Sequence, residues 1–261
     1  MHGASARPLV DIGSLMRAGI VAAVVLLVVL LASGIPGSGG SLRLDWGVLW
    51  ANRLLILRGT LITLQLAVAA AVLGTILGLL VALVRLARVP LLAQYAQGYT
   101  EVFRGSPLLM QLFWIWFGLP LIGVPINGFA AAALGLTLNV GAYIAEIFRG
   151  GILAVPRGQT EAALATGMTY VQTMRFIILP QIVRSSLPPL IGQLISLVKD
   201  TSLASLISFQ ELMLMTQSII DRTHKIFELY LGAAVVYFAI CYPLSQLVRT
   251  VERRLSGSER G

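Results

Sequence analysis

The feature that most constrains this sequence is a run of 26 residues, 59–84, that contains no charged side chain. A helix over this run is about 39 Å long at ~1.5 Å per residue, which exceeds the ~30 Å hydrocarbon core of a bilayer. Gly74 and Gly78 form a G-x-x-x-G step within it, a spacing that lets two helices approach closely. The run therefore predicts a transmembrane helix that packs against a neighbour.

The composition extends this prediction to the rest of the chain. Only 11% of the 261 residues are charged and 57% are hydrophobic, whereas a soluble domain carries about 25% charged residues. The net charge of +8 does not indicate nucleic acid binding, because the charges lie in short gaps between apolar runs and not in a basic domain. The single cysteine, Cys241, excludes an intrachain disulfide, and its apolar surroundings favour a packed or lipid-facing thiol. The predicted fold class is an all-α, polytopic membrane helical bundle.

Further apolar runs bring the prediction to six spans. The run at 18–34 follows Arg7 and Arg17, as in a secretory signal peptide, but its length and the lack of a clean A-x-A site favour a retained anchor. The long uncharged region 105–145 is divided by Pro and Gly residues into two helices joined by a tight turn. The predicted spans are 18–34, 59–84, 98–119, 128–148, 187–208 and 226–248.

Charges between the spans predict the topology. Basic residues exceed acids in segments 85–104 and 149–184 and in the C-terminal tail, which places these on the cytoplasmic side. Segment 209–228 has three acids against two bases and is predicted outside, so six spans put both termini in the cytoplasm. Segment 35–57 is an exception, because it is predicted outside yet carries two arginines against one acid.

The longest cytoplasmic segment, about 149–180, is longer than a connector needs to be. Pro156 and Gly158 are expected to break the preceding helix. Thr160 is expected to cap a short helix, with Glu161 in its first turn, where the helix dipole favours an acid.

The end of this short helix is also predicted. Gly167 is expected to end it, and a second helix then runs to Pro180. Ala162, Ala163 and Ala165 give the short helix a small-residue face that a partner's groove can approach closely. An ordinary amphipathic surface turn accounts for the same pattern, so the residues alone leave both interpretations open.

The same loop fills every fixed position of the pattern E-A-A-x3-G-x9-I-x-L-P, from Glu161 through Gly167 and Ile177 to Leu179-Pro180. This pattern resembles the EAA loop of transmembrane subunits of bacterial ABC importers. The resemblance covers about 59–255, so that a permease domain at 58–255 follows an N-terminal segment at 1–57. The amino-acid branch of the family usually has five spans, which makes 18–34 an extra one. Four other stretches resemble the polar amino-acid branch: 104–113, 141–151, 155–159 and 199–203.

The resemblance implies a channel subunit of an importer of polar or charged amino acids, located in a bacterial inner membrane. In such importers a coupling helix of the EAA loop inserts into a cytoplasmic ATPase, and ATP-driven closure of two ATPases rocks the spans between inward- and outward-facing states. The implied partners are this ATPase dimer, an identical or homologous second permease subunit and an extracytoplasmic amino-acid-binding protein. Docking is assigned to Gly158, Glu161, Ala162, Ala163, Gly167 and Pro180 by the match. Glu161 either pairs with a basic residue of the ATPase or only stabilises its own helix.

The sequence contains no nucleotide or metal motif of its own. There is no G-x-x-x-x-G-K-[ST] run, so ATP and magnesium are expected on the partner ATPase. His2, His224 and Cys241 are too few for a zinc cluster, and no nucleophile is seen beside a base. The chain is therefore predicted to bind no cofactor and not to be an enzyme.

Polar residues within the predicted spans are candidates for the substrate path, because charges inside a membrane are costly. Lys199 and Asp200 lie near the middle of the 187–208 span. They can contact the carboxylate and ammonium of an amino acid, pair with other helices, or mark a misplaced span boundary. Glu146 is expected to pair with Arg104 or Arg149. Further candidates for the path are Gln111, Asn139, Tyr143, Gln193 and Ser196, and Trp114 and Trp116 fit either a pocket or an interfacial belt.

Two rival classes remain open at this point. A secondary transporter driven by an ion gradient needs no docking loop and often shows two similar halves, of which this sequence gives no convincing sign. A non-transporting membrane scaffold or an intramembrane enzyme is the other. The residues do not name the amino acid.

Overall fold

The computed structural model describes residues 44–86 and 89–257. The predicted span at 18–34 lies outside the described residues, as does the N-terminus. The chain divides between Val48 and Leu49, and the description below concerns the second unit, Leu49–Gly261.

All regular secondary structure among the described residues is helical, as predicted. Two helices contain a π-helical turn, one at Trp114–Gly118 and one at Met174–Ile178, and the second of these helices ends in the 3₁₀ segment Thr201–Ile207. The helices are α1 (Gly47–Ala51), α2 (Arg53–Leu86), α3 (Pro90–Gly105), α4 (Leu108–Leu121), α5 (Gly128–Leu153), α6 (Arg157–Ala165), α7 (Tyr170–Ile207), α8 (Leu212–Thr223) and α9 (Ile226–Gly257).

Four helices of the described residues are long and apolar enough to cross a membrane: α2, α5, α7 and the Ile226–Val248 part of α9. The predicted spans 59–84, 128–148 and 226–248 fall within three of them. The predicted span 187–208 is only the second half of α7, a continuous helix that begins at Tyr170. The helix therefore begins 17 residues before the predicted span, and the point where the membrane crossing starts along it stays a prediction.

The predicted span 98–119 is wrong as a single helix. The chain breaks between α3 and α4 at Ser106, which has extended backbone angles (φ −110°, ψ 148°). The break follows from Pro107, since a proline forces the preceding residue out of the helical region. What remains after the break is α4, an apolar helix shorter than a span.

Helix α5 lies at the centre of the bundle and packs most extensively against α2. The two backbones approach closely at Gly74 and Gly78, as the G-x-x-x-G step predicts. A Cβ at Gly78 would lie 2.8 Å from the carbonyl oxygen of Gly141, and a Cβ at Gly74 would overlap the side chain of Val140. The contact therefore depends on glycine at both positions. The core around it contains Leu66, Ala70, Leu112, Ala131, Ala132, Leu136, Ile144 and Leu197, among others.

The predicted turn between α4 and α5 is present. Gly123 adopts a positive φ of 83°, and Asn127 caps α5 by accepting a hydrogen bond from the backbone nitrogen of Ala130 at 2.8 Å. These are the polar and glycine residues that divide the uncharged region of the sequence into two helices.

Candidate functional site

Helix α6, the middle of the patterned loop, begins earlier than predicted. Its first residue is Arg157, and Pro156 precedes it with extended backbone angles. The prediction that Thr160 caps this helix is therefore wrong, and Glu161 is its fifth residue, outside the first turn. The reason is Pro156, which lies between α5 and α6. Its carbonyl accepts a hydrogen bond from the backbone nitrogen of Gln159 at 3.0 Å and so starts the new helix. Gly158 does not break α5 but lies inside α6.

The small-residue face of α6 is divided between interior and surface. Ala163 is buried and packs toward the first turns of α7. Glu161 and Ala162 are exposed, as is Leu164 beside them. The exposed side of this short helix therefore presents one acid, one methyl group and one large apolar side chain.

Gly167 ends α6 as predicted and fixes the corner that follows. It adopts a φ of 84°, and no atom lies within 4 Å of where its Cβ would be, so conformation and not space requires glycine. The backbone nitrogens of Met168 and Gly167 donate to the carbonyls of Ala163 (3.2 Å) and Leu164 (3.0 Å), the pairing of a Schellman motif.

The next helix begins one residue beyond this motif. Thr169 and Gln172 form a reciprocal capping box at the start of α7. The corner between α6 and α7 is thus held by hydrogen bonds on both sides.

Pro180 does not end the second helix of the loop, which corrects the prediction. It lies within α7, just after the π-helical turn Met174–Ile178. There the backbone nitrogen of Leu179 donates to the carbonyl of Met174, five residues back. Because the turn is widened before the proline, the helix passes through a residue that lacks an N–H donor.

Gln111 and Asn139 lie together at the break between α3 and α4. Both side chains are buried, at 7% exposure. The Gln111 amide donates to the carbonyl of Phe103 at 2.8 Å and to both oxygens of Ser106. The Asn139 amide donates to the same Phe103 carbonyl (3.2 Å) and to Gln111 (3.1 Å). These contacts satisfy carbonyls that the broken helix leaves without intrahelical partners.

Glu146 on α5 pairs with both of the arginines predicted for it and with a third. Its carboxylate contacts Arg149 at 2.8 Å, Arg104 at 3.3 Å and also Arg85 of α2. Tyr143, one turn earlier, stacks under the Arg104 guanidinium at 5.4 Å. Sequence reasoning missed Arg85, because it lies 61 residues from its partner and at the end of another span.

The polar residues of α7 form a separate group. Gln193 and Ser196 are partly exposed, Asp200 is partly buried and Lys199 is exposed. Asp200 interacts electrostatically with the neighbouring Lys199. In the described part of the chain, no hydrogen bond or ion pair joins this group to Gln111, Asn139 or Tyr143. The substrate-path assignment of all these residues stays a prediction.

A third polar cluster, at the opposite end of α2 from Arg85, was not predicted. Glu211 is fully buried at the start of α8, where its carboxylate accepts from the backbone of Leu214 (2.9 Å), from Tyr237 of α9 (3.0 Å) and from Thr63 of α2 (3.3 Å). Burial raises the pKa of the Glu211 carboxyl, and the hydrogen bonds that it accepts oppose this shift. The only sequence signal for this cluster is that Glu211 stands three residues before Leu214, which is the usual spacing between a capping side chain and the backbone nitrogen that donates to it.

The described residues contain no group of three or more His, Cys, Asp or Glu side chains placed to hold a metal ion. The arrangement instead combines a bundle of membrane-length helices with an exposed short helix held rigidly at one end. These features define a class: a helical, membrane-spanning protein with a short surface helix at one end.

Comparison with known proteins identifies the family. Residues 74–257 match the family of binding-protein-dependent transport system inner membrane components, and the chain belongs to this family. It is 43% identical over 198 residues to the L-cystine transport system permease protein TcyB of Bacillus subtilis, covering 76% of this chain and 85% of that protein. It is 37% identical over 216 residues to the glutamine transport system permease protein GlnP of Escherichia coli, covering 82% and 99%.

Solved structures agree with this assignment. A crystal structure of an amino acid ABC transporter with histidines superposes with a TM-score of 0.77 at 37% identity, covering 80% of this chain and 98% of that chain. An inward-facing MetNI methionine ABC transporter shares the fold at 22% identity and a TM-score of 0.58. The chain is thus a permease subunit of the ABC importer type, with the all-α membrane fold that its sequence predicts.

Proposed function

We propose that this chain is the channel-forming subunit of an ATP-driven importer that carries polar or charged amino acids into a bacterial cell. The observation that carries the proposal is the loop that fills the EAA pattern, in which the nine-residue helix α6 presents Glu161 and Ala162 at the surface and is joined to α7 by a hydrogen-bonded corner. Relatives named for cystine, glutamine and arginine transport support the substrate class.

Transport is driven by ATP hydrolysis on a separate cytoplasmic ATPase dimer, which holds the ATP and magnesium. Docking on this partner belongs to α6, with Glu161 and Ala162 on its exposed side and Ala163 and Gly167 keeping its shape. The rigid corner at Gly167 passes a displacement of α6 to α7, so that closure of the ATPases moves a membrane-crossing helix.

Two further partners complete the transporter. A second permease subunit, identical or homologous, supplies the other half of the channel, and an extracytoplasmic amino-acid-binding protein delivers the substrate. The polar residues of α7 support the half-channel assignment, because Gln193 and Ser196 are partly exposed and Lys199 is exposed in a helix of membrane-crossing length. In this arrangement Gln193, Ser196, Lys199 and Asp200 face the substrate, the α6 end of the bundle and both termini lie in the cytoplasm, and the protein spans the inner membrane several times.

The proposed function is tested by co-purification and by uptake. The tagged full chain, expressed with the ATPase and binding protein encoded beside it, is expected to retain the ATPase in detergent. Amino-acid uptake into proteoliposomes is expected to need enclosed ATP and to continue when ion gradients are collapsed. Uptake that follows an ion gradient without ATP would make the chain a secondary transporter instead.

The coupling role of the loop has a sharper test. Gly167→Arg is expected to abolish uptake while membrane insertion is kept, because a side chain at a φ of 84° distorts the corner next to the docking helix. Gly98→Arg is the matched control, since Gly98 has a negative φ and equally open space around it. Retention of the ATPase by the Gly167 variant at the level of the parent chain would count against docking through this corner.

The amino acid itself is identified by the binding protein. Calorimetric titration of that protein with the twenty amino acids and cystine is expected to select a polar or charged ligand. Selection of a sugar, a metal or a purely apolar amino acid would contradict the proposed substrate class.

A further inference from the structure

A polar cavity lies where α2, α3 and α5 meet. Its volume is about 530 Å³, and it is partly open to the surroundings. Glu146, on its wall, is seven residues before the end of α5 at Leu153, or about 10 Å along the helix. The cavity therefore lies at the same end of the bundle as α6. Its wall consists of Arg85, Gln97, Thr100, Glu101, Arg104, Gly105, Glu146 and Arg149.

The wall holds more hydrogen-bond donors than its own acids can accept. Three guanidinium groups offer five N–H donors each, whereas the Glu146 carboxylate has about four acceptor positions. Arg149 uses two of its donors on Glu146, and Arg104 reaches it with one nitrogen at 3.3 Å. The other acid, Glu101, is exposed and accepts from Gln97 at 2.7 Å. Among the residues that the structure describes, these contacts leave guanidinium N–H donors for another acceptor.

The cavity also carries an excess of positive charge. Three arginines and two acids line it, and the 3.3 Å and 2.8 Å contacts to one oxygen of Glu146 place nitrogens of Arg104 and Arg149 within about 6 Å of each other. Like charges at this separation repel, and half-buried surroundings screen them less than water does. An anion in the cavity would relieve this repulsion.

Size and position favour a phosphate group that carries an organic substituent. The volume falls in the ~300–1,000 Å³ range of small-molecule sites and exceeds what a bare phosphate ion fills. Helix α3 borders the cavity with Thr100 and Arg104, whereas Tyr95 and Val102 on its other side are exposed apolar residues. A helix with one polar and one apolar side suits the boundary between headgroups and hydrocarbon. Forked arginine donors match the oxygens of a phosphate.

We propose that this cavity binds a phosphate ester, with Arg104 and Arg149 as the groups that contact its oxygens. The ester comes either from the headgroup of a membrane lipid or from a free phosphate compound. Binding of such an anion does not require that the chain be an importer. Only its placement on the cytoplasmic side rests on the proposed function.

The test uses the purified full chain in a detergent without phosphate groups. Native mass spectrometry and thermal unfolding are recorded with phosphatidylglycerol, with diacylglycerol, which lacks the phosphate, and with soluble glycerol 1-phosphate. Phosphatidylglycerol is expected to remain bound and to raise the unfolding temperature, and diacylglycerol is not. If glycerol 1-phosphate binds as tightly as the lipid, the source is a free phosphate ester; if only the lipid binds, it is a headgroup.

Variants decide whether the arginines form the site. Arg104→Gln is expected to weaken phosphatidylglycerol binding about tenfold, the loss of one charge-assisted hydrogen bond. Arg104→Lys keeps the charge and is expected to lose less. Arg149→Gln gives a second, independent variant in case one of them folds poorly, and Arg184→Gln, an exposed arginine of α7, is the control.

Three results would overturn the proposal. The first is binding by none of the three probes. The second is equal binding by the parent chain and by both folded glutamine variants. The third is displacement of bound phosphatidylglycerol by millimolar L-glutamine, which would assign the cavity to the substrate path. Each result is obtained without ATP or uptake, so failure here leaves the co-purification and uptake tests of transport untouched.

Discussion

Helices α5 and α9 are both apolar enough to cross a membrane, yet they occupy opposite environments in the bundle. In the most apolar stretch of α5, 67% of the residues are buried, whereas the corresponding share in α9 is 6%. The buried residues of α5 are mostly small, among them Ala131, Ala132, Gly135 and Gly141. Along α9, Val235, Phe238 and Tyr242 are exposed.

The difference teaches that side-chain size, more than hydropathy, separates a central helix from a peripheral one in this membrane protein. Lipid tails are as apolar as leucine, so apolar side chains gain little by leaving them for protein. Close backbone approach is what α5 gains from its alanines and glycines. Helix α9 keeps large side chains because it presents them to lipid or to a partner.

The largest expected effect comes from filling the contact between α2 and α5. Gly78→Leu adds a side chain at a position where even a Cβ atom would lie 2.8 Å from a backbone oxygen of α5. Backbone cannot give way as a side chain can, so overpacking here is expected to exceed the usual ~1–3 kcal/mol and to prevent folding. Size-exclusion profiles of fluorescently tagged protein in detergent measure this.

Ala234→Leu on the exposed face of α9 is the matched small-to-large control and is expected to leave the profile unchanged. A monodisperse profile for Gly78→Leu, or loss of the monodisperse peak for Ala234→Leu, would contradict the difference in packing between the two helices.

The next effect is electrostatic and concerns Glu146 on α5. Glu146→Gln leaves Arg85, Arg104 and Arg149 without their shared carboxylate. Because the side chains of Arg104 and Arg149 are 42% and 40% exposed, solvent screens them, and the loss is expected to cost about 2 kcal/mol, below that of a fully buried ion pair. The unfolding temperature in detergent is expected to fall clearly. Glu101→Gln, which removes an exposed acid from the same cavity wall, serves as its control and is expected to change little. Equal shifts of the unfolding temperature for the two variants would show that Glu146 does not stabilise the protein more than the exposed Glu101 does.

A smaller effect is expected from the buried amides. Asn139→Ala deletes the hydrogen bonds to Phe103 and Gln111 and is expected to lower stability by about 1–2 kcal/mol. Ser245→Ala on α9 removes a hydroxyl that bonds only to its own helix and is expected to stay within about 0.5 kcal/mol.

Uptake assays on the same two variants separate structure from transport. If Asn139→Ala changes the KM for the amino acid while its unfolding temperature is unaltered, then Asn139 acts on the substrate and not on the helix break.

The smallest effect depends on pH and involves the contact of α9 with Glu211. Because burial raises the folded-state pKa of Glu211 above its ordinary value of 4.5, the folded chain binds more protons than the unfolded one above that pH. Stability is therefore expected to fall as pH rises from about 4.5 through the raised pKa. Glu211→Gln is expected to remove this part of the pH dependence.

Unfolding temperatures between pH 4.5 and 8, taken for the parent and the variant, measure the difference. A parent chain that gains stability relative to Glu211→Gln as pH rises would reverse the expected sign. Tyr237→Phe removes the hydroxyl of α9 that donates a hydrogen bond to Glu211. This variant is expected to lose more stability at high pH than the parent chain does.

Much of the fold could be predicted from the sequence, because the hydrocarbon thickness forces long apolar runs and charges mark their ends. The runs that became α2, α5 and part of α9 illustrate this. The break at Ser106 was missed because the uncharged run that starts at Gly105 continues through Pro107 into α4, so neither charge nor hydropathy marks it. Only the local rule for residues before proline signals it.

The corner at Gly167 and the pairing of Glu146 with Arg149 could be predicted because their signals are close in sequence, whereas the contacts that join α2 to the two polar clusters could not. Gly167 was placed correctly from its need for a positive φ. The pairing of Arg85 with Glu146 and of Thr63 with Glu211 depends on how helices cross, which periodicity does not contain. Thr160 shows the opposite failure. It is a good capping residue, yet the helix begins after Pro156, four positions earlier.

Helix α7 runs without interruption from the corner beside Gly167 to the charged pair Lys199 and Asp200. At ~1.5 Å per residue, Tyr170 and Lys199 are about 43 Å apart along it. If this rod pivots as one piece, a swing of about 10° at one end carries the other through about 7 Å, more than one full helical pitch. The paired prolines Pro188 and Pro189 lie between them, where missing backbone hydrogen bonds leave the rod most compliant. Whether a swing at Tyr170 reaches Lys199 in full therefore depends on how much of it these two prolines absorb.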